Sequence, residues 1–396
     1  MASGDADVRR EVGPTRRLRV AFVADTLHAP IGGGVTSGAR VVERLRRYHD
    51  VQVIGADAPG EGDVRLPGFV IPVHAMKAMH FVMARPVRKE LDKAIAEADV
   101  VHLQFPFWLS FAALSAARRA NKPVVAGFHV QPENALHNVG IWLPVINDVV
   151  YRLWVDHLYS HAACVVCPSP FAERKLRSYG LAAKTAIISN GIPDDITPNG
   201  PNAREPEHEG SFVIVTLGRL ASEKRQSVVI EAVRRSRNAR KIKLVVAGTG
   251  PLEAQLKDLA KTLPNGAEVG FLPRERLLQL LRSADLFVHA SEVELEGIAV
   301  MEAIGSGLPV IVADAPESAA KDFALDDDFR FPAGNVRKLA QRIDALIEAP
   351  DLLRAARTRY LERAPAFDFG ECAKQLAMVY DDVVRAAHPK TSNGSR

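Results

Sequence analysis

Short apolar segments alternate with helical patterns along most of this chain, and they form two successive series. The first segment, LRVAFVAD at residues 18–25, is nearly continuous in apolar residues and ends in an aspartate. Apolar strands that alternate with helices are typical of a parallel sheet covered by helices on both faces. The segments are 18–25, 51–55, 98–105, 122–129 and 163–169 in the first series, and 211–219, 241–250, 267–273, 284–291 and 309–314 in the second. The pattern therefore predicts two doubly wound α/β units.

A stretch rich in proline, glycine, asparagine and charge, residues 194–210, separates the two series. This composition is typical of a linker, and a chain of 396 residues suits two domains of about 150 residues each. Near the C-terminus, Cys372, Leu376 and Val379 recur at helical spacing, which predicts one amphipathic helix. We expect disordered polar tails over 1–17 and 389–396, domains over 18–200 and 201–365, and a helix over 366–388.

The charge balance and the cysteine count exclude several classes of protein. With 51 Lys and Arg against 47 Asp and Glu, the net charge is +4, which is too weak for a dedicated nucleic-acid binder. Three cysteines cannot build a disulfide framework and suit a reducing compartment. The first 17 residues lack the apolar core of a secretion signal. We therefore expect a cytoplasmic protein that does not bind nucleic acid.

Unusual residues follow two of the predicted strands, at the edge where doubly wound sheets bind their ligands. The run Gly32–Gly34 comes just before a helix expected to begin near Val35. Glycines let a backbone approach an anion closely, and a helix N-terminus offers unpaired N–H groups. After the first strand of the second series, Arg219 and Lys224 lie five residues apart. A guanidinium and an ammonium suit a diphosphate. The alternative interpretation is that Arg219 and Lys224 are two solvated cations on the surface.

Two glutamates separated by seven residues follow the strand at 284–291. Glu294 is expected in a loop at the cleft, and Glu302 about one turn into a helix that begins near Gly297. Carboxylates accept hydrogen bonds from vicinal hydroxyls, as on ribose or a hexose. Acids that complement the dipole at a helix start are the alternative, which accounts for Glu296.

These motifs, in their order and spacing, resemble the family-4 retaining glycosyltransferases. The resemblance covers about residues 18–385, and its most specific part is the Glu-x7-Glu segment followed by EAIGSGLPVIVAD. The other matching segments are the glycine run, GRLASEKR at 218–225, GTGPLEAQL at 248–256 and GFLP at 270–273. The resemblance implies the GT-B fold, an α/β architecture in which two Rossmann-like domains face each other across a cleft. It also implies that the C-terminal helix packs back toward the N-terminal domain.

The same resemblance implies a role for each matching residue. Glu294 would contact the transferred sugar, and Glu302 the ribose hydroxyls. His129 directly follows a predicted strand, in the position where the family carries a histidine near the reacting carbon, so His129 and Glu294 are the implied catalytic residues. Phe271 and Leu272 would flank the base. The implied donor-binding residues are Gly33, Gly34, Arg219, Lys224, Phe271, Leu272, Gly297, Ile298, Ala299 and Glu302.

The expected reaction moves a hexose from a UDP- or GDP-linked sugar to a hydroxyl acceptor, such as a lipid or a glycan, and retains the anomeric configuration. No metal and no other cofactor is expected. Two alternatives stay open, a GT-B sugar-nucleotide epimerase and a non-catalytic protein that binds sugar nucleotides or glycans on the same fold. A turnover assay with a panel of donors separates the enzyme from the binding protein.

Residues on the acceptor side are suggested by a basic, methionine-containing segment at 74–91. Met76, Met79 and Met83 recur there at helical spacing among lysines and arginines. A basic amphipathic helix can rest on anionic lipid, which would allow contact with the inner face of a membrane. An ordinary sheet-covering helix with a basic face is the favoured interpretation. Glu133, in HVQPEN after the strand at 122–129, is a further candidate for acceptor binding.

Overall fold

The computed structural model of the chain describes residues 14, 16–27, 32–71, 81–137, 143–200 and 204–389. Its elements fall into two halves. The strands of the first half are β1 Arg19–Val23, β2 Asp50–Gly55, β3 Val64–Arg65, β4 Gly68–Phe69, β5 Met83–Ala84, β6 Val100–Leu103, β7 Val124–Gly127, β8 Cys164–Cys167 and β9 Thr185–Ile187. The helices of this half are α1 Gly32–Leu45, α2 Arg88–Glu97, α3 Trp108–Arg119, α4 Pro132–His137, α5 Pro144–His157 and α6 Pro170–Ser178.

The second half repeats the alternation. Its strands are β10 Phe212–Leu217, β11 Ile242–Ala247, β12 Ala267–Gly270, β13 Leu286–His289, β14 Val293–Glu294, β15 Val310–Asp314, β16 Glu317–Ser318 and β17 Arg330–Pro332. Its helices are α7 Gln226–Arg235, α8 Glu253–Ala260, α9 Arg274–Ser283, α10 Ile298–Gly305, α11 Val336–Glu348 and α12 Pro350–Arg363, followed by α13 Phe369–Ala387.

Each half contains one large parallel sheet. The first has the strand order β3-β2-β1-β6-β7-β8-β9, and the second β12-β11-β10-β13-β15-β17. Central strands such as β6 and β13 are buried at every position, because helices cover both faces of the sheet. The ten strands expected from the sequence are all present, which confirms the prediction of two doubly wound units. The sixth strand of the second sheet, β17, was not predicted, because its three residues include one charge and form no apolar run.

The strand order also shows where a ligand crevice must lie. In the first sheet β1 pairs with both β2 and β6, and in the second β10 pairs with both β11 and β13. The direction of winding therefore reverses at β1 and at β10, and such switch points form crevices at the carboxyl ends of the strands. The glycine-rich start of α1 follows the first switch point, and the loop of Arg219 and Lys224 follows the second.

Two local expectations are wrong. Helix α1 begins at Gly32 and not near Val35, so the glycines form its first turn instead of preceding it. Met83 lies in the short strand β5, which pairs antiparallel with β4, and the next helix begins only at Arg88. The expected helix over 74–91 therefore cannot carry Met83, because extended backbone directs alternate side chains to opposite sides. Met76 and Met79 lie outside the described residues.

The last helix crosses back to the first half, as the resemblance implies. Residues of α13, among them Tyr380 and Val383, share an apolar cluster with Leu18 and Phe22 of the first sheet. The Tyr380 hydroxyl is 2.9 Å from Nδ1 of His102, inside this cluster. The amphipathic pattern read in the sequence is therefore buried against the first sheet, and α13 ties the two halves together.

The segment between the two sheets packs tightly where it leaves the first one. Ile192 and Ile196 join the apolar core of the second half, and a Cβ on Gly305 would lie 2.6 Å from Ile192. The backbone N–H of Ile192 donates to the carbonyl of Phe367, just before α13. The expected linker over 194–210 is therefore anchored near its start, by Ile192 just before it and by Ile196 within it, whereas Asp194 and Asp195 are exposed. The domain limits given above stay a prediction.

Gly191 is the position in this segment where glycine is required. Its φ is 73°, and an added Cβ would lie 2.7 Å from the Cα of Phe369. We expect Gly191→Ala to lower the free energy of unfolding by about 1–2 kcal/mol for the left-handed backbone and by about 1–3 kcal/mol more for the steric conflict. The matched control is Gly180→Ala, because Gly180 has φ 92° and open space around its Cβ position. Equal losses for the two variants in urea unfolding would contradict this prediction.

Candidate functional site

A cation and a carboxylate expected in the donor site are in direct contact. Lys224 forms an ion pair with Glu294, and Nε2 of His289 lies 2.9 Å from the same carboxylate oxygen. Burial would raise the pKa of Glu294, but the Lys224 ammonium and the His289 ring outweigh it and hold the pKa well below its usual range. Glu294 is therefore a permanent anion at the carboxyl end of the second sheet.

The loop that carries the two cations is fixed to the loop of Glu294. Arg219 forms an ion pair with Glu223, whose side chain is almost completely buried. The carbonyl oxygen of Glu223 accepts a hydrogen bond of 2.9 Å from the backbone N–H of Glu292. Both Arg219 and Lys224 thus neutralise a carboxylate. Because an ammonium has three N–H donors, Lys224 can donate to a further anion while it stays paired with Glu294.

Glu302 is held by a second group of charges. It is buried in α10, and its carboxylate accepts a hydrogen bond of 3.0 Å from Arg274. Arg274 also donates to both carboxylate oxygens of Asp195, at 2.8 and 2.9 Å. Arg40, on α1 of the first half, lies close enough to feel the charges of Glu302 and Arg274. This group joins four parts of the chain, namely α1, the segment of Asp195, α9 and α10.

The start of α10 brings backbone N–H groups to the same edge. Gly297 precedes the helix with φ 109°, and Ile298 and Ala299 form its first turn. The positive φ turns the chain sharply between the loop of Glu294 and the helix of Glu302, which favours glycine at this position. The amides at this helix start have no partner within the helix and can donate to an anion.

His129 lies just beyond the carboxyl end of β7. It lines a small cavity together with Ser37 of α1 and Asn190. Burial lowers the pKa of His129 to about 4, so the ring is neutral near pH 7. A Cβ on Gly127 would lie 2.6 Å from this ring, so the end of the strand needs glycine to accommodate the histidine.

The remaining residues expected at the site differ in their exposure to solvent. The side chain of Phe271 is 72% exposed, whereas Leu272 is packed into the core. Leu272 therefore packs against the core of the second half, whereas the exposed ring of Phe271 is accessible to a ligand. Glu133 is buried; it accepts a hydrogen bond of 3.0 Å from the Tyr151 hydroxyl, and burial raises its pKa. Gly33 and Gly34 lie in the first turn of α1.

Several residues of this site were missed by sequence reasoning, among them His289 and Arg274, and Glu296 was given another role. Glu296 fitted the pattern of a helix-start acid, yet only 4% of it is exposed. Its carboxylate accepts hydrogen bonds from the backbone N–H and from Nδ2 of Asn190, at 3.0 and 2.7 Å. A signal was present in the sequence, because Glu296 lies between Leu295 and Gly297-Ile298 and not on a polar helix face.

One cluster in the described part of the chain has the ligand types of a metal site. Glu205, His208 and Glu268 bring one ligand atom each within 4.8 Å of one another. Arg276 forms ion pairs with both glutamates at this place, so a guanidinium occupies the position that a metal ion would need. The cluster lies at β12, the edge strand of the second sheet, away from the switch-point crevice.

Among the described helices, none combines the length and the apolar character that crossing a bilayer requires.

Comparison with known proteins places both halves among the glycosyltransferases. A family model described as "Glycosyl transferases group 1" matches residues 202–364, and one described as "Glycosyltransferase Family 4" matches residues 31–196. A GDP-mannose-dependent alpha-mannosyltransferase of Mycolicibacterium smegmatis is 30% identical over 315 residues, or 75% of this chain and 80% of that protein. The alpha-monoglucosyldiacylglycerol synthase of Streptococcus pneumoniae is 28% identical over 387 residues, or 89% of this chain and 84% of that protein.

Solved structures give the same fold. HepE of Anabaena in complex with UDP has a TM-score of 0.71 at 19% identity and covers 92% of this chain and 100% of that chain. WaaG, a glycosyltransferase involved in lipopolysaccharide biosynthesis, has a TM-score of 0.67 at 18% identity and covers 91% of this chain and 99% of that chain. With two facing Rossmann-like halves and a helix that crosses back, the chain has the GT-B fold.

Proposed function

Since this chain belongs to glycosyltransferase family 4, we propose that it transfers a hexose from a UDP- or GDP-linked sugar to a hydroxyl acceptor with retention of configuration. The observation that carries this proposal is the contact of Lys224 with Glu294 at the second switch point. The cation that we propose for the diphosphate and the permanently charged carboxylate that we propose for the sugar lie side by side there. The chain is thus a transferase that uses a sugar nucleotide.

Charge stabilisation is the main task of the donor residues. When the bond between the anomeric carbon and the phosphate oxygen breaks, the departing diphosphate gains negative charge. Arg219, Lys224 and the backbone N–H groups at the start of α10 are arranged to stabilise that charge. The sugar gains positive charge at the same time, which the carboxylate of Glu294 favours. These cations supply the charge that a metal ion would otherwise provide, so we propose that no metal is required.

The proton of the acceptor hydroxyl goes to the departing phosphate oxygen. The bond from the acceptor oxygen to the anomeric carbon then forms on the face that the diphosphate leaves, which gives retention. His129, neutral near pH 7 because burial lowers its pKa to about 4, can accept or donate a hydrogen bond beside the reacting sugar but carries no charge there. Its proposed task is to orient the sugar.

The test is a turnover assay with UDP- and GDP-linked hexoses and a panel of lipid and soluble acceptors. We expect transfer from one donor, an α-linked product from an α-linked donor by NMR, and unchanged activity in EDTA. An inverted anomer would overturn the mechanism, and activity that is lost in EDTA and restored by magnesium would overturn the proposal of a metal-free enzyme. Binding of a donor without any transfer would overturn the proposed activity itself.

For the acceptor we propose a lipid-linked hydroxyl at a membrane surface. One relative is named for a diacylglycerol product, and large apolar side chains are exposed on the first half. Trp108 at the start of α3 is 54% exposed, and Val145, Val149 and Leu153 line the outside of α5. Co-sedimentation with anionic vesicles tests this contact. Full activity on a water-soluble acceptor, without any vesicle binding, would contradict the proposed membrane contact.

The role of Glu302 can be tested separately from catalysis. We expect Glu302→Ala to weaken nucleoside diphosphate binding about tenfold to a hundredfold, because hydrogen bonds from ribose hydroxyls to a carboxylate are lost. A 2′,3′-dideoxy nucleoside diphosphate should bind the wild-type protein as weakly as the ribose form binds the variant. Titration calorimetry measures both affinities. If the variant still prefers the ribose form by the wild-type ratio, Glu302 does not bind the ribose.

A further inference from the structure

The two halves of the donor crevice are joined by a chain of three polar side chains. Ser37, buried in α1, donates a hydrogen bond of 2.7 Å to the amide oxygen of Asn190. Asn190 lies after β9, where the chain leaves the first sheet. Its amide nitrogen and its backbone N–H both donate to Glu296, one residue before Gly297. A single asparagine thus connects the glycine-rich helix α1 to the Glu-x7-Glu loop.

We propose that Glu296 is a positioning residue that fixes α1 against the loop of Glu294 through Asn190 and Ser37. The inference rests on the proposed function, because α1 carries the glycine amides and the loop carries Glu294, and transfer needs both at one donor. Glu296 touches neither donor nor acceptor in this role. It acts through the position that it gives to the first turns of α1.

The surroundings of Asn190 make the connection rigid. A Cβ added to the next residue, Gly191, would lie 2.7 Å from the Cα of Phe369, and the backbone N–H of Ile192 donates to the carbonyl of Phe367. Asn190 therefore cannot shift without moving the start of α13. Because the carboxylate of Glu296 is itself buried, losing it would leave two N–H donors of Asn190 without an acceptor, which is costly. The loop of Glu294 and α1 are consequently held in one relative position.

The charge on Glu296 changes near neutral pH. Burial raises its pKa to about 7, against the opposing hydrogen bonds from Ser189 and Asn190. An ionised carboxylate is the better acceptor for the two Asn190 donors, so the connection is strongest above pH 7 and weakens as the pH falls. The titratable groups that share this cavity stay neutral there, because burial lowers the pKa of His102 to about 3 and of His129 to about 4 and raises the pKa of the Cys372 thiol to about 12.

The experiment compares Glu296→Ala, Asn190→Ala and the double variant with the wild-type enzyme. For Glu296→Ala we expect kcat to fall at least tenfold while the dissociation constant of the nucleoside diphosphate changes less than threefold. Because both residues act through the same connection, the double variant should be no slower than the slower single variant. An unchanged kcat, an affinity that falls as much as kcat, or effects that multiply in the double variant would each overturn the proposal.

The pH dependence of kcat in Glu296→Gln distinguishes the positioning role from a purely structural one. It keeps an acceptor oxygen for Asn190 but cannot ionise, so kcat should stay within about threefold of wild type at pH 6. The wild-type kcat should rise between pH 6 and pH 8, and the rise should be absent in Glu296→Gln. Identical pH profiles for the two proteins would contradict the inference. A wild-type protein that transfers no sugar would overturn the proposed function and this inference together, whereas identical pH profiles in an active enzyme would overturn this inference alone.

Two matched controls separate positioning from stability. Asp344, in α11, is also a buried carboxylate that accepts from a serine and an asparagine just after α7, but it lies away from the crevice. Asp344→Asn should lower thermal stability without changing kcat of the folded enzyme. Asp194 pairs with Arg44 of α1 at the surface. Asp194→Asn should leave kcat within twofold of wild type and thermal stability unchanged. A tenfold loss of kcat in either control would show that the effect of Glu296→Ala is not specific.

Discussion

Replacing Glu294 with alanine should lower kcat by about a hundredfold to a thousandfold, the usual effect of removing one group that stabilises charge in a transition state. The carboxylate is ionised throughout the working pH range, since Lys224 and His289 outweigh the effect of burial on its pKa. Without it the positive charge that develops on the sugar loses its nearest proposed anion. Steady-state kinetics at saturating donor measure the change.

Nucleoside diphosphate binding should survive in Glu294→Ala, because the diphosphate contacts assigned to Arg219 and Lys224 remain. Calorimetry should give a dissociation constant within about threefold of wild type. The matched control is Glu292→Ala, two residues earlier, whose side chain pairs with Arg225 and is partly exposed; its kcat should stay within about threefold. A Glu294→Ala enzyme with at least half of the wild-type kcat would exclude Glu294 from the chemistry.

Lys224→Ala should weaken binding of the nucleoside diphosphate about tenfold to a hundredfold, since a charge-assisted hydrogen bond contributes about 1.5–3 kcal/mol. The loss should be confined to the phosphates, so the nucleoside alone should bind the variant and the wild-type protein equally. Lys257→Ala removes a lysine from the exposed pair with Glu253 and serves as the control for a change in overall charge. An unchanged diphosphate affinity in Lys224→Ala would refute the assignment.

The ion pair predicts that the two substitutions are not independent. In the wild-type protein Lys224 divides its charge between Glu294 and the diphosphate. Removing Glu294 first frees the ammonium for the phosphates, so Lys224→Ala should cost more affinity in the Glu294→Ala background than in the wild-type background. A double-mutant cycle on the dissociation constants measures this coupling. Equal losses in the two backgrounds would mean that the ion pair does not compete with the ligand.

Local patterns in the sequence were sufficient for the fold class. Buried strands of a parallel sheet are apolar on both faces, so segments such as 18–25 and 309–314 stand out without any knowledge of their neighbours. The same applies to α13, whose apolar stripe is periodic along one helix. Strand β17 has neither property, since three residues with one charge leave no pattern, and its place at the sheet edge follows only from pairing with β15.

The start of α1 and the placement of Met83 show the limits of local patterns. Three glycines have weak helix propensity, which favours a helix that begins after them, yet α1 begins at Gly32. The methionine spacing at 76–83 suits a helix, but the chain pairs Met83 with Phe69 in a short antiparallel ladder. At Met83 a pairing with a distant strand therefore overrides the local preference.

The sequence by itself determined the two doubly wound halves, the switch-point loops and the spacing of Glu294 and Glu302, because period, apolar runs and motif spacing are properties of neighbouring residues. Only the tertiary structure decided the partners. Lys224 and Glu294 are 70 residues apart, and Asn190 and Glu296 are 106 apart, so no local pattern relates them. Burial and charge pairing then set the ionisation of the two glutamates. Burial raises the pKa of Glu296, two residues before α10, to about 7, whereas Lys224 and His289 keep Glu294 permanently ionised. These effects depend on which groups the fold brings together.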